Sequence, residues 1–116
     1  MKSPSLTVKA RPLAGMGLAS SLLRRTVLNQ LEHLRHGLLR LQHGDVCQQF
    51  GDLASPLKAE IHITDSAAWG LIAARGSIGA GEAYIHGYWH SPDLTAVIRL
   101  FVANMDVLDN IERGSL

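Results

Sequence analysis

Apolar and polar positions alternate most cleanly from Leu57 to Ile63. Leu57, Ala59, Ile61 and Ile63 fall on one side, and Lys58, Glu60 and His62 on the other. That period of two predicts a strand with one buried face. A weaker alternation over Gly37–Gln42 and Val46–Phe50 predicts a hairpin, with His43-Gly44-Asp45 as its turn. Upstream the period lengthens: Leu23, Val27, Leu31 and Leu34 share one face of a helix running from Ser20 or Ser21 to about His36, with Gly37 just past its end. Arg24, Arg25, Asn29, Glu32 and His36 fall outside that stripe, giving a basic outer face. Thr64-Asp65-Ser66 reads as a capping cluster for a second helix, Ala67–Arg75, which is apolar nearly all round and ends at Gly76. A third helix is expected from Pro92 to Glu112, capped by Ser91, with Leu94, Val97, Ile98, Phe101, Met105 and Leu108 as its apolar stripe. Residues 1–19 hold two prolines, two glycines and no sustained period, and read as a mobile segment ahead of a single domain spanning 20–116.

These elements predict an α+β fold: a small, mainly antiparallel sheet of about three or more strands, covered by helices. An apolar share of 47% supplies a core, and the few aromatics concentrate between Trp69 and Phe101. No apolar run approaches the roughly 20 residues that a membrane span needs. The run after Lys2, Lys9 and Arg11 is broken by Gly15 and Gly17 and is not read as a signal peptide. A single cysteine, Cys47, excludes an intrachain disulfide and fits a reducing compartment.

The net charge of +1 hides an asymmetry. Residues 1–40 carry +6 and residues 41–116 carry −5. Arg24, Arg25, Arg35 and Arg40 are therefore candidates for contact with anionic lipid headgroups, against the plainer reading of solvated charge on a core helix. Nucleic acid is disfavoured, because the second half is acidic and basic residues do not interleave with aromatics.

Candidate chemistry is sparse. His33 and His36 lie three apart and His86 and His90 four apart, but no cysteine or carboxylate completes a metal-ligand spacing, so no metal site is expected. Cys47 has no acid or base organised around it, and no catalytic residue is assigned. The glycines of Gly76-Ser77-Ile78-Gly79-Ala80-Gly81 follow a helix rather than a strand and lack a Gly-Lys-Ser/Thr sequence, which argues against a nucleotide cradle and for close helix packing. Glu82 is the one acid in an otherwise neutral stretch. A structural hydrogen bond to Tyr84, Tyr88, Trp89 or backbone N–H groups is expected for it, with an interdomain or substrate-side contact as the alternative.

The stretch Gly76–Trp89, followed by Asp93-Leu94-Thr95-Ala96, resembles the N-terminal domain of cyclopropane-fatty-acyl-phospholipid synthases. Gly76, Gly79, Gly81, Glu82, Tyr84, Gly87 and Trp89 match that family's pattern; His86 stands where Asp is usual and Tyr88 where Trp is usual. The resemblance covers about residues 57–113. It implies a parent enzyme that transfers a methylene unit from S-adenosylmethionine to the cis double bond of a phospholipid acyl chain, through a C-terminal methyltransferase domain. That domain's glycine-rich cofactor motif does not occur here, since Val107-Leu108-Asp109 runs on into Asn110-Ile111-Glu112. The resemblance therefore implies an accessory domain, inactive alone, peripheral to the cytoplasmic face of the membrane. Its partners would be phospholipid, the C-terminal domain or a second copy, with Gly76, Gly79, Gly81, Glu82, Tyr84, Gly87, Tyr88 and Trp89 as interdomain or lipid contacts. The element order is also similar to sterol-carrier-like lipid-binding folds, by analogy. A stand-alone lipid- or protein-binding module is the alternative.

Overall fold

The structure, a computed structural model, describes residues 17–112, with side chains described to 108. The expected mobile segment falls mostly outside these residues, but its last two positions, Leu18 and Ala19, already belong to a helix.

The hairpin forms as its alternation requires. Leu38–His43 (β1) pairs antiparallel with Val46–Gly51 (β2), His43 stands opposite Val46, and Gly44-Asp45 makes a two-residue turn in which Gly44 takes φ 61°. Lys58–Ile63 (β3) buries Ala59, Ile61 and Ile63 on one face, as the period of two predicts. A short strand, Trp89–His90 (β4), pairs antiparallel with its end. The sheet order is β2-β1-β3-β4. Two of its three pairings are antiparallel, but β1 and β3 run parallel, with Leu38 opposite Lys58 and His43 opposite Ile63.

That parallel pairing requires residues 52–57 to cross the start of β1. The crossing is stitched by Asp52 N–H donating to the Gly37 carbonyl at 2.9 Å and Leu38 N–H donating to the Leu57 carbonyl at 2.8 Å. Gly51 sits here with φ 103°, and a Cβ at this position would lie 2.2 Å from the Gly37 oxygen, so only glycine fits.

Four helices cover one face of the sheet: Leu18–Leu31 (α1), Ala67–Ile85 (α2), Leu94–Ala103 (α3) and Met105–Glu112 (α4). Val27 and Leu31 of α1, Leu39 and Leu41 of β1, Ile61 and Ile63 of β3, Trp69 of α2 and Leu100 of α3 make the centre of the core. All of these but Leu100 line a cavity of about 30 Å³ with apolar walls, the kind of void that stays dry. Because side chains alternate along β1 and β3, Arg40, Gln42, Glu60 and His62 stand on the opposite face of the sheet.

Among the helix boundaries that differ from expectation, two are explained by one residue. The single helix expected over Pro92–Glu112 breaks at Asn104, which takes φ −127° and ψ 31°. Asn104 is only 1% exposed. Its amide donates to the carbonyls of His36 (2.8 Å) and Leu100 (2.9 Å) and accepts from the N–H groups of Arg35 and His36, both at 3.2 Å. Those bonds also occupy the peptide groups that would have carried α1 to His36, and α1 instead ends at Leu31 with Glu32 as its cap. The start of α3 differs as well. Asp93, not Ser91, caps it, accepting from Ala96 N–H at 3.1 Å, and Pro92 lies outside the helix.

Candidate functional site: a groove beside the glycine-rich arm

The glycine-rich stretch is not a loop. α2 continues through it as a second arm over 77–85, bent from the first at Gly76, whose φ 58° and ψ −130° lie outside the helical range. A left-handed φ with such a ψ is glycine's territory. The bend lays the second arm against the first so closely that a Cβ on Gly79 would fall 1.9 Å from the Leu71 carbonyl oxygen. Small residues here serve close helix packing.

Trp89 fastens the arm. It is 3% exposed, and its indole N–H donates to the Ala80 carbonyl at 2.8 Å. The turn leading to it is held by Tyr88 N–H on the Ala83 carbonyl (2.8 Å) and Gly87 N–H on the Tyr84 carbonyl (2.9 Å), with Gly87 at φ 79°. The Thr64 hydroxyl donates to the Gly87 carbonyl at 2.8 Å, and the N–H groups of Thr64 and Asp65 donate to the Tyr88 carbonyl. The two ends of α2 are thus tied together. Of the expected capping cluster, Asp65 bonds the Ala67 N–H (2.9 Å), whereas Ser66 makes no side-chain cap.

Glu82 is neither deeply buried nor bonded to Tyr84, Tyr88 or Trp89. It meets Arg75 across the bend at 2.6 Å, in a half-exposed ion pair that braces the two arms. Tyr88 is half-buried under the ring of His86, 5.2 Å away, and Tyr84 is exposed with its ring 4.9 Å from Trp89. Gly81 is exposed, with open space where a Cβ would stand.

That open space belongs to a groove of about 250 Å³ between the second arm and α3. Ser77, Gly81 and Tyr84 line it from the arm, Leu94, Val97, Ile98 and Phe101 from α3, and Trp89 from below. The two helices that form it also carry exposed apolar residues: Ile85 is 82% and Val102 67% exposed, and Ile78 and Ile98 are more than half exposed. Contiguous apolar surface of this kind marks an interaction site more often than a plain surface. Trp89 and Phe101, with ring centroids 6.4 Å apart, separate the groove from the interior cavity.

The fold brings Gly76, Gly79, Gly81, Glu82, Tyr84, Gly87, Tyr88 and Trp89 into one unit, with only Gly81, Tyr84 and Trp89 on the groove itself. It does not bring Arg24, Arg25, Arg35 and Arg40 onto one surface. Arg24 is half-buried, contrary to its expected outward placement, whereas Arg25 is exposed. Arg35 pairs with Asp106 at 2.8 Å, and Arg40 stands on the other face of the sheet, 3.4 Å from the Cys47 sulfur. The groove wall of α3 escaped the sequence reading because Ile98 and Phe101 were counted into the core stripe. The available signal was that Leu94, Val97, Ile98, Leu100, Phe101 and Val102 together span more of the helix than one core face needs.

The histidines are placed differently from their sequence pairs. His62 contacts Glu60 at 2.5 Å, and its ring lies 4.9 Å from that of His90. Among the described residues no group of three His, Cys, Asp or Glu is placed to hold a metal ion. No described helix is long and apolar enough to cross a membrane. The glycine stretch, being helical and filled at Gly79 by the Leu71 carbonyl, does not fit a nucleotide or S-adenosylmethionine. Comparison with protein families, curated proteins and solved structures finds no match to this chain.

Proposed function

We propose that this chain is the N-terminal, non-catalytic domain of a cyclopropane-fatty-acyl-phospholipid synthase, and that its groove is the surface it presents to the rest of that enzyme or to a second subunit. One observation carries the reading. The residues from Gly76 to Trp89 that resemble the family's pattern act as a single mechanical unit, with a bend, a close crossing, an ion-pair brace and a buried indole, and the product of that unit is an uncharged groove. A contact of that composition suits another apolar protein surface, whose burial would contribute about 25 cal/mol per Å² of apolar area. S-adenosylmethionine and the transfer chemistry are assigned to the C-terminal domain. Peripheral contact with phospholipid at the cytoplasmic face falls to the α1 side, through Arg24 and Arg25.

The experiment is to express the natural reading frame containing this chain and supply S-adenosylmethionine with vesicles of unsaturated phospholipid. Cyclopropane rings in the recovered acyl chains are the expected result. A reading frame without a methyltransferase domain would overturn the proposal in favour of a stand-alone binding module.

A further inference from the structure

Three side-chain nitrogens in the described structure are buried without a hydrogen-bond partner: Arg24 Nε, His43 Nε2 and Trp69 Nε1. They belong to one corner of the molecule, where α1 meets the end of β1 and the first turn of α2. The His43 and Trp69 rings meet edge to face with centroids 5.4 Å apart. A Cβ placed on Gly70, beside Trp69, would meet the side chain of Leu23, beside Arg24, at 3.7 Å. The Arg24 charge acts on His43, which burial and that charge together hold below its ordinary pKa.

The chemistry of the three groups is lopsided. Arginine and tryptophan nitrogens only donate, and Nε2 of a neutral imidazole donates in one tautomer and accepts a single hydrogen bond in the other. Pairing among the three groups alone therefore cannot satisfy them all. Each unpaired buried donor costs about 1–3 kcal/mol, a cost that an acceptor entering from outside would relieve. The positive charge of Arg24 favours a negatively charged acceptor over a neutral one. The other arginines differ in this respect: Arg35 has Asp106, Arg40 has Cys47, and Arg25 is exposed to water. Trp69 is 1% exposed, so its N–H has no water shell of its own to fall back on.

We propose that this corner is an oxyanion site that takes one phosphate group, with Arg24 supplying charge and a hydrogen bond and the N–H groups of Trp69 and His43 completing the cradle. Arg24, half-buried on α1, is the side chain that swings to admit it. The site stands on its own geometry. The function proposed above bears only on the source of the phosphate, which is then a phospholipid headgroup rather than a free ion.

The full chain, labelled with nitrogen-15, has two indole N–H resonances that test this directly. The Trp89 indole already donates to the Ala80 carbonyl and serves as an internal reference. Inorganic phosphate and a soluble short-chain phosphatidylglycerol are titrated separately. The expected result is a saturable shift of the Trp69 resonance with at least one of them, while that of Trp89 stays in place. Response to phosphate identifies a free-anion site, and response to phosphatidylglycerol alone identifies the headgroup. Arg24→Gln should weaken the binding by about tenfold or more, as loss of one charge-assisted hydrogen bond implies. Arg99→Gln, at an exposed site on α3 outside the groove lining, should leave it unchanged. Should glutamine disturb folding, Arg24→Lys keeps the charge and still removes the Nε donor, with the same direction expected. A Trp69 resonance unmoved by both probes, or an equal response in Arg24→Gln and wild type, overturns the proposal. The two proposals fail separately: an unmoved resonance removes this site and leaves the domain assignment, whereas a reading frame lacking the methyltransferase removes the headgroup source and leaves the site.

Discussion

Asn104 ties the break between α3 and α4 to the segment that follows α1. Both its amide donors and its carbonyl are engaged, and its partners lie 68 and 69 positions away at His36 and Arg35. Asn104→Ala strands several buried peptide groups at once. Its stability should fall by about 3 kcal/mol, read as a shift of the urea midpoint without a change of slope. Trp89→Ala should cost roughly 3–5 kcal/mol, because it removes a buried ring and frees the Ala80 carbonyl. Arg25→Ala, by contrast, should stay within about 0.5 kcal/mol of wild type in the same urea titration. His43 gives the molecule an acid sensitivity. It is faced by Arg24 from α1, Trp69 from α2, Val46 from β2 and Ile63 from β3, none of them acidic. Its folded pKa lies below the unfolded value of 6.5. Above that value both states hold it neutral. As pH falls below it the unfolded chain takes up the proton first, and stability declines towards the folded pKa. The loss between about pH 7.5 and pH 5.5 should be smaller in His43→Gln than in wild type, with chemical denaturation at both pH values as the readout.

At the level of elements, the bent helix α2 offers the sharpest contrast. Gly79 and Gly81 are two positions apart on the same helical arm, yet only one is constrained. Gly79→Ala drives a methyl group into the Leu71 carbonyl and should destabilise strongly enough to lower the melting temperature by several degrees. Gly81→Ala meets open space and gains helix propensity. It should stabilise by about 0.5–1 kcal/mol, and thermal melts of the two variants should move in opposite directions. This scale is also where the reach of the sequence is clearest. β3, the hairpin and the first arm of α2 were legible, because each depends on local periodicity and on Gly44 or Gly76 as punctuation. The break between α3 and α4 was not, because Asn104 looks like an ordinary exposed helix residue until His36 is brought beside it. The parallel pairing of β1 with β3 was equally hidden: it depends on residues 52–57 crossing at Gly37 and Gly51, a contact between distant positions that alternation does not encode. The motif residues were found from their spacing, but their division into braces and groove lining follows only from the bend at Gly76.

At the scale of the whole molecule, the described residues of all four helices pack on one face of the sheet and contribute to a common core. The groove lies at the edge of that core, with open space at Gly81 and Trp89 and Phe101 behind it. Arg24 and Arg25 belong to α1, apart from that groove, which separates a charged contact from an apolar one. On the proposed function, such a domain would present one side to phosphate and another to a protein partner. The measurement that bears most directly on this account is methylene transfer by the natural full-length protein carrying Ile98→Asp, a charge set into the groove wall at a site already more than half exposed. The account predicts an unchanged melting temperature with transfer to vesicle phospholipid reduced by about tenfold or more, the effect of one unpaired charge in an apolar contact. Full activity in that variant would contradict it.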